Sequence, residues 1–341
     1  MSISTDLAAT PEHNESRTLV RRILTNQQFV LFIVLVALVI FFGSRNALFF
    51  HVGEFSNLFT DFSGLVLISL AETYVITAGG IDLAVGSTAA VSGVVAAGWI
   101  QPLVSHHVNQ GLVLLAGTLA CALIGAVAGG FSALLITAFD LVPFVATLVT
   151  YSVGAGLALV ISHGAPVGYN PGAIYWSASG FGMITWLVAI VLVVAVLLGL
   201  VLHLTAYGRY NFAIGSNEFA ARAAGINVRR HLVSVYVLAG VLAGLTGMFF
   251  YIRSGSGAAT TGVTNSANLV AIAAVVIGGA SLIGGVGRWA GTMLGAAILT
   301  VVSDGLIFIN VPPTWIQVVV GALIAVAALL QTFRRRSRRL T

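Results

Sequence analysis

Long apolar runs separated by short polar connections dominate the pattern of this chain. Many of these runs reach the ~20 residues that a helix needs to cross a bilayer. We therefore predict an all-α, polytopic membrane protein with about ten transmembrane helices. The predicted spans are 24–43, 58–78, 83–100, 111–138, 142–162, 181–204, 232–252, 268–285, 288–307 and 313–332.

The composition agrees with a membrane protein. Hydrophobic residues make up 58% of the chain and charged residues only 7%, whereas a soluble domain carries about 25% charged residues. The single cysteine, Cys121, excludes an internal disulfide, and we expect it to be a small buried side chain. The adjacent His106 and His107 do not point at one metal ion from a helix or a strand, so we expect no metal site there.

The arginine distribution predicts the orientation of the chain. All fifteen basic residues are arginine. With ten spans and a cytoplasmic N-terminus, only Arg45 and Arg253 fall outside, which is a strong positive-inside bias. We therefore divide the chain into a cytoplasmic tail of residues 1–22, a transmembrane domain of residues 23–332 and a basic cytoplasmic tail of residues 333–341.

The segment 207–231, which we call the coupling loop, is the one sizeable polar stretch between two spans. Its middle predicts a short helix that Ser216 caps and in which Glu218 lies near the positive end of the dipole. Gly225 falls where a helix can end in the left-handed conformation. Two interpretations remain open: a loop that is basic because of topology, or a docking helix for a soluble partner.

The stretch TAGGIDLAVGS lies between the second and third spans, and Gly79, Gly80 and Gly86 surround Asp82. Irregular backbone at membrane depth is tolerated where it lines a cavity or is buried in protein. We expect Asp82 to cap the next helix, and a role as a gate or pathway residue is compatible with this. Glu72 lies inside the second span, where a carboxylate usually faces the bundle interior or a water-filled path.

Five motifs resemble, in order, the permease subunits of bacterial ABC transporters of the ribose and related sugar class, in the branched-chain amino acid/ribose permease family. The resemblance covers residues 30–332. The motifs are TAGGIDLAVGS (77–87), VPFVATLVT (142–150), AIGSNEFAARAAGINV (213–228), LVAIAAVVIGGASLIGGVG (269–287) and PPTWIQVVVGALIAVA (312–327).

The resemblance implies a multi-pass translocation subunit of the bacterial inner membrane, with no enzymatic activity of its own. The chain contains no G-x-x-x-x-G-K-[ST] phosphate loop, so we expect ATP–Mg to be bound by a partner ATPase and no cofactor in this chain. The other implied partners are an extracytoplasmic sugar-binding protein and a second permease copy or paralogue, with no nucleic acid. The implied ATPase-coupling residues are Asn217, Glu218, Ala221, Arg222 and Gly225.

The expected gate residues are Gly79, Gly80, Asp82 and Gly86. A sugar pathway combines aromatic faces with a few hydrogen-bonding groups. The candidate pathway residues are Glu72, Thr73, Phe144, Thr147, Tyr151, Asn268 and Trp315, and for each aromatic residue the alternative is contact with lipid or packing. The chain departs from similar permeases at Ala267–Leu269, where they often carry an acid, and at Gly129–Phe131, where they often carry asparagine.

A secondary transporter and a membrane-embedded enzyme are the alternative classes of function. In a secondary transporter driven by an ion gradient, Glu72 and Asp82 would be proton or sodium sites. A membrane-embedded enzyme would need a cluster of His, Asp, Ser or Cys residues, and the sequence offers none.

Overall fold

The computed structural model describes residues 27–106, 108–260, 267–312, 314–323, 325–326 and 329. This part of the chain is almost entirely helical, which confirms the all-α prediction. The predicted tails 1–22 and 333–341 lie outside the described residues, and so does His107.

The described helices are numbered α1 to α13 in chain order. A 3-10 turn at Ala47–Phe50 follows α1, and a short antiparallel hairpin of β1 (Gly180–Phe181) and β2 (Ile184–Thr185) precedes α7. The helices are α1 (Gln27–Arg45), α2 (Val52–Thr77), α3 (Val85–Ser105), α4 (Gln110–Thr137), α5 (Pro143–Ser162), α6 (Pro171–Ala178), α7 (Trp186–Leu204), α8 (Ala206–Ser216), α9 (Glu218–Ala223), α10 (Val228–Ser254), α11 (Ala267–Ile277), α12 (Trp289–Phe308) and α13 (Thr314–Leu323).

Eight helices in the described part of the chain are long and apolar enough to cross a membrane, and the shorter apolar helices α11 and α13 lie in the remaining two predicted spans. The predicted span 268–285 is wrong in extent, because α11 ends at Ile277. Its 11 described residues rise about 16 Å, half of a hydrocarbon core of ~30 Å. The helix ends there because Gly279 adopts a φ of +97°, which favours glycine and stops a helix.

The centre of the bundle forms where α4 and α10 approach each other along glycines. A β-carbon on Gly129 would lie 2.2 Å from the carbonyl O of Tyr236, and one on Gly240 would lie 2.2 Å from the carbonyl O of Gly125. Small residues allow membrane helices to pack at such distances. Since α10 also packs against α2 and α3, it is the central helix of the bundle.

The two ends of the bundle differ in what they carry. At one end, the turn between α11 and α12 meets the end of α2, where the N–H of Gly285 donates to Thr77 O at 3.0 Å, and α8 and α9 lie beside it. At the other end, Arg253 of α10 forms an ion pair with Asp61 of α2. The coupling loop therefore lies at the end of the bundle that carries the turn after α2 and the turn between α11 and α12. The Arg253–Asp61 ion pair lies at the opposite end.

The close packing of α4 on α10 predicts different effects of alanine substitution at two adjacent glycines. Gly129→Ala places a methyl group against backbone, and we expect it to destabilise the fold by about 1–3 kcal/mol through overpacking. Gly130→Ala is the matched control, because its β-carbon would meet only Val237 Cγ2, at 3.9 Å. The thermal unfolding midpoint of the purified chain in detergent should fall for the first variant and stay level or rise for the second. Equal midpoints would contradict the packing described here.

Candidate functional site

The coupling loop folds into the two short helices α8 and α9, joined by one residue. Asn217 is extended between them, and its Oδ1 accepts a hydrogen bond from the N–H of Ala220 at 3.0 Å. The prediction that Ser216 caps α9 is wrong, because Ser216 is the last residue of α8 and its hydroxyl donates to Phe212 O at 2.7 Å. Asn217 is the N-cap instead, and asparagine suits this position as well as serine does.

The end of α9 agrees with the prediction for Gly225. This residue has a φ of +85°, and the N–H of Ile226 donates to Ala221 O at 3.1 Å, the hydrogen-bond pattern of a Schellman cap. A β-carbon at Gly225 would meet no atom within 4 Å. The left-handed backbone alone therefore favours glycine here.

Helix α9 turns one face inward and exposes the rest. Ala221 is 4% exposed and belongs to the buried cluster that joins α8, α9 and α10, so it anchors the helix. Glu218 and Arg222 form an exposed ion pair across one helical turn, and Phe219 between them is 82% exposed. Aromatic side chains are enriched in protein interfaces, so this face is suited to a protein partner. Phe219 is not among the predicted coupling residues, although it is the one large apolar residue of α9.

Residues 78–84 form an irregular turn between α2 and α3. Gly79 has a φ of +90°, and the N–H of Gly80 donates to Val75 O at 2.9 Å, so the chain breaks where the two glycines were expected to break it. A β-carbon on Gly80 would lie 2.2 Å from the hydroxyl of Tyr236. Gly86 does not belong to the turn, because it lies buried in the first turn of α3.

Side chains from two other helices bond the carbonyl groups of turn 78–84. The hydroxyl of Thr147 in α5 shares its one proton between Pro143 O of its own helix, at 2.9 Å, and Ile81 O of the turn, at 3.2 Å. The amide of Asn268 in α11 donates to Leu83 O at 3.2 Å. Such partners matter because unpaired backbone groups at membrane depth are strongly unfavourable. Both residues were predicted to line a pathway, and the structure places them where they hold the backbone of the turn.

Asp82 is 2% exposed, and its Oδ1 accepts a hydrogen bond from the N–H of Ala84 at 2.8 Å. The prediction that it caps α3 is wrong, because the helix begins at Val85 and its N-cap, Ala84, has no side-chain bond. The carboxylate instead closes the turn just before the helix.

Glu72 lies beside this turn and is fully buried in α2. The backbone of Asp82 faces the carboxylate of Glu72. Among the described residues, neither oxygen of this carboxylate has a hydrogen bond of good geometry. The hydroxyl of Tyr236 also lacks one. Asp82 is close enough to act electrostatically on both groups. The three side chains form a buried polar cluster, in agreement with an intramembrane acid that faces the bundle interior.

The other predicted pathway residues are not gathered at the turn. The hydroxyls of Thr73 and Thr292 lie 2.8 Å apart and join α2 to α12. Phe144 in α5 is 49% exposed and Trp315 in α13 is 58% exposed, while Tyr151 is half-buried. The two exposed rings therefore lie on the surface of the chain, where lipid or another chain would contact them.

A cleft of about 260 Å³ separates α9 from turn 78–84. Nη2 of Arg229 and Oδ1 of Asp140 lie 3.6 Å apart at this cleft, and both side chains are exposed, so their pairing contributes at most ~1 kcal/mol. Among the described residues, no group of three or more His, Cys, Asp or Glu could hold a metal ion. Two of the predicted coupling residues, Glu218 and Arg222, and two of the predicted gate residues, Gly79 and Gly80, line this cleft. The other predicted coupling and gate residues are not part of its lining.

Comparison with known proteins places these features in one family. Residues 55–328 match the family described as branched-chain amino acid transport system / permease component. This range includes both irregular turns and the coupling loop.

Individual relatives align along almost their full length. The ribose import permease protein RbsC of Haemophilus influenzae is 34% identical over 318 residues, which are 91% of this chain and 93% of that protein. The ribose import permease protein RbsC of Bacillus subtilis is 40% identical over 303 residues, 88% of this chain and 91% of that protein. The galactose/methyl galactoside import permease protein MglC of Escherichia coli is 32% identical over 320 residues, 90% of this chain and 93% of that protein.

The role of Thr147 in holding the turn is testable by Thr147→Val. Valine keeps the shape of the side chain but cannot donate to Ile81 O, and an unpaired buried carbonyl costs about 1–3 kcal/mol. We expect faster hydrogen–deuterium exchange of the backbone amides of residues 81–84, measured by mass spectrometry.

Thr118→Val is the matched control, because the Thr118 hydroxyl donates to Leu114 O within its own helix. Both substitutions remove a hydrogen bond from the threonine hydroxyl to a carbonyl group of its own helix. Only Thr147→Val also removes a hydrogen bond to turn 78–84. Equal exchange in the two variants would contradict the assignment of Thr147 to the turn.

Proposed function

The chain belongs to the family of branched-chain amino acid transport permease components, and from this premise we propose that it is the membrane-spanning permease subunit of an ABC importer for a sugar. The named relatives import ribose and galactose or methyl galactoside. The proposed substrate is accordingly a pentose, a hexose or a related polyol. In this proposal the chain is a transport subunit and not an enzyme.

The observation that carries this proposal is the way in which helix α9 is anchored and exposed. It exposes Phe219 beside the Glu218–Arg222 ion pair, while Ala221 anchors it in the bundle. A short helix with a rigid base and an exposed aromatic side chain is suited to fill a pocket on a partner protein. We propose that the partner is a cytoplasmic ATPase that binds ATP–Mg, since the chain itself carries no phosphate-loop motif.

The arginine distribution supports an orientation in which α8 and α9 face the cytoplasm. Arg209, Arg222, Arg229 and Arg230 all lie in or beside the coupling loop, as the positive-inside rule expects of a cytoplasmic loop. The N- and C-terminal tails are proposed to lie on the same side, at the inner membrane of a bacterium. The opposite end is then proposed to receive sugar from an extracytoplasmic binding protein, and a second permease copy or paralogue completes the pathway.

Turn 78–84 is proposed to act as a gate at the cytoplasmic end of this pathway. It contains the helix-breaking residues Gly79 and Gly80, it lies beside the buried cluster of Glu72, Asp82 and Tyr236, and it shares a cleft with α9. ATP binding to the ATPase pair shifts the permease between inward and outward access only if the two states differ in their contacts with the partner. A partner docked on α9 satisfies this requirement because α9 borders the turn.

Reconstitution into liposomes tests the proposed function. The chain is combined with its co-purifying ATPase and with the binding protein, and uptake of radiolabelled ribose and galactose is followed. We expect uptake that requires ATP on the side of the ATPase and that survives an uncoupler. Uptake by the chain alone that an uncoupler abolishes would instead identify an ion-driven secondary transporter, with Glu72 and Asp82 as ion sites.

We expect Glu218→Arg to weaken docking of the ATPase. The substitution replaces the ion pair with repulsion from Arg222 and places a positive charge at the positive end of α9. Loss of an interface hot spot of about 2 kcal/mol weakens binding ~30-fold. The amount of ATPase that co-purifies with the tagged chain and the rate of ATP-driven uptake should both fall, with normal insertion into the membrane.

Gly225→Trp should have the same effect, because a tryptophan cannot easily adopt the left-handed backbone that ends α9. Tyr175→Ala is the control for the co-purification measurement, because Tyr175 is 80% exposed and lies in α6, away from the coupling loop. Wild-type uptake by both loop variants would refute the docking role of α9.

A further inference from the structure

The backbone of α8 contacts both irregular turns at one residue, Gly215. A β-carbon on Gly215 would lie 2.0 Å from the carbonyl O of Thr77 and 2.6 Å from the backbone N of Gly285. Thr77 is the last residue of α2, and Gly285 lies in the turn 278–288 between α11 and α12. Any side chain at position 215 would therefore push α8 away from both turns.

The two turns also contact each other directly. The N–H of Gly285 donates to Thr77 O at 3.0 Å. A β-carbon on Gly284 would lie 2.7 Å from the Cα of Gly79. Gly79 and Gly284 have φ angles of +90° and +91°, which residues with side chains rarely adopt. The contact between the turns therefore depends on glycine on both sides.

A second contact fixes α8 to α2 one helical turn before Gly215. Asn211 is fully buried, and its amide donates to Tyr74 O at 2.9 Å and to Thr77 Oγ1 at 2.6 Å. Its Oδ1 lies 3.1 Å from Nε2 of His231 in α10. Because residues four apart share one face of a helix, Asn211 and Gly215 attach the same face of α8 to the end of α2.

Helix α8 is in turn attached firmly to α9. Only Asn217 separates the two helices, and Ile214, Ala221 and Val228 form one buried cluster between α8, α9 and the start of α10. Close-packed protein transmits displacement with little compression, and packed elements switch between discrete arrangements. A movement of α9 therefore reaches both turns through rigid contacts.

Resting on the proposed function, we propose that Gly215 and Asn211 are positioning residues of the transport cycle, which clamp α8 to turns 78–84 and 278–288 so that both turns move as one body with α9. In this proposal, neither residue contacts sugar or ATP. They act by making the position of the gate follow the position of the docked ATPase.

Two variants test the clamp at different contacts. Gly215→Ala forces α8 away from the backbone of both turns, and Asn211→Asp keeps the size of the side chain but removes the two bonds that the amide donates. Gly156→Ala is the matched control for a glycine within a helix, because its β-carbon would meet no atom within 4 Å. If one of the two variants does not fold, the other still tests the proposal.

The first measurement uses the purified chain in detergent and is independent of transport. Hydrogen–deuterium exchange should become faster in both turns 78–84 and 278–288 in each variant, while the control matches the wild type. Unchanged exchange in the turns, or a change confined to α8, would overturn the clamp.

The second measurement uses the complex with ATPase and binding protein in liposomes. The ATPase should co-purify in wild-type amounts, because Phe219 and its neighbours are unchanged, while the number of ATP molecules hydrolysed per sugar imported rises by about tenfold. An unchanged ratio would overturn the proposal, because a purely structural defect lowers uptake and hydrolysis together. If the wild-type complex does not import sugar with ATP, the proposed function fails, and the exchange measurement alone decides on the clamp.

Discussion

The need to pair every backbone polar group away from water governs the architecture of this chain. A continuous helix meets this need by itself, but the chain leaves the helical conformation at residues 78–84 and again at 278–288, beside buried parts of the bundle. At the first turn, Thr147 and Asn268 supply the missing hydrogen bonds to Ile81 and Leu83. Breaks in membrane helices persist only with such partners, so the positions of α5 and α11 are tied to the turn.

Glycine makes this arrangement possible at two levels. Between α4 and α10, Gly129 and Gly240 remove the side chains that would hold the helices apart. Between the turns, Gly79 and Gly284 supply left-handed backbone and allow the two turns to touch. The glycine-rich composition therefore serves packing in the long helices and conformation in the turns, and substitution with alanine has different consequences in the two settings.

Much of the fold was predictable because it depends on local pattern. Apolar runs of span length predicted the long helices, and Gly225 predicted the end of α9 because a left-handed cap is a property of the residue itself. The early end of α11 at Ile277 was not predictable from hydropathy, because residues 278–285 are apolar enough to continue a span and the helix is ended by the backbone of Gly279 and its neighbours. The backbone conformation of a glycine cannot be inferred from the hydropathy of its surroundings.

The site was less predictable, because its contacts are formed by residues far apart in the chain. Thr147 and Asn268 were selected as polar groups for a sugar, but their hydrogen bonds to turn 78–84 depend on a fold that brings α5 and α11 to the same place. The roles of Asn211 and Gly215 could not be predicted from the sequence. Asn211 looks like any polar residue of a loop, and Gly215 looks like any glycine of a helix. Phe219 was discernible as the one large apolar side chain of α9, but its exposure was not.

The way in which turn 78–84 is held constrains how it can move. Its end at Thr77 bonds α8 and the second turn, while its carbonyl groups bond α5 and α11. A displacement of α8 alone would stretch these bonds and leave buried groups unpaired, which is unfavourable in a medium without water. The turn therefore has few stable positions, each of which requires α5, α8 and α11 to move together. Packed elements of this kind change between discrete arrangements rather than gradually, which is the behaviour that the proposed gate requires.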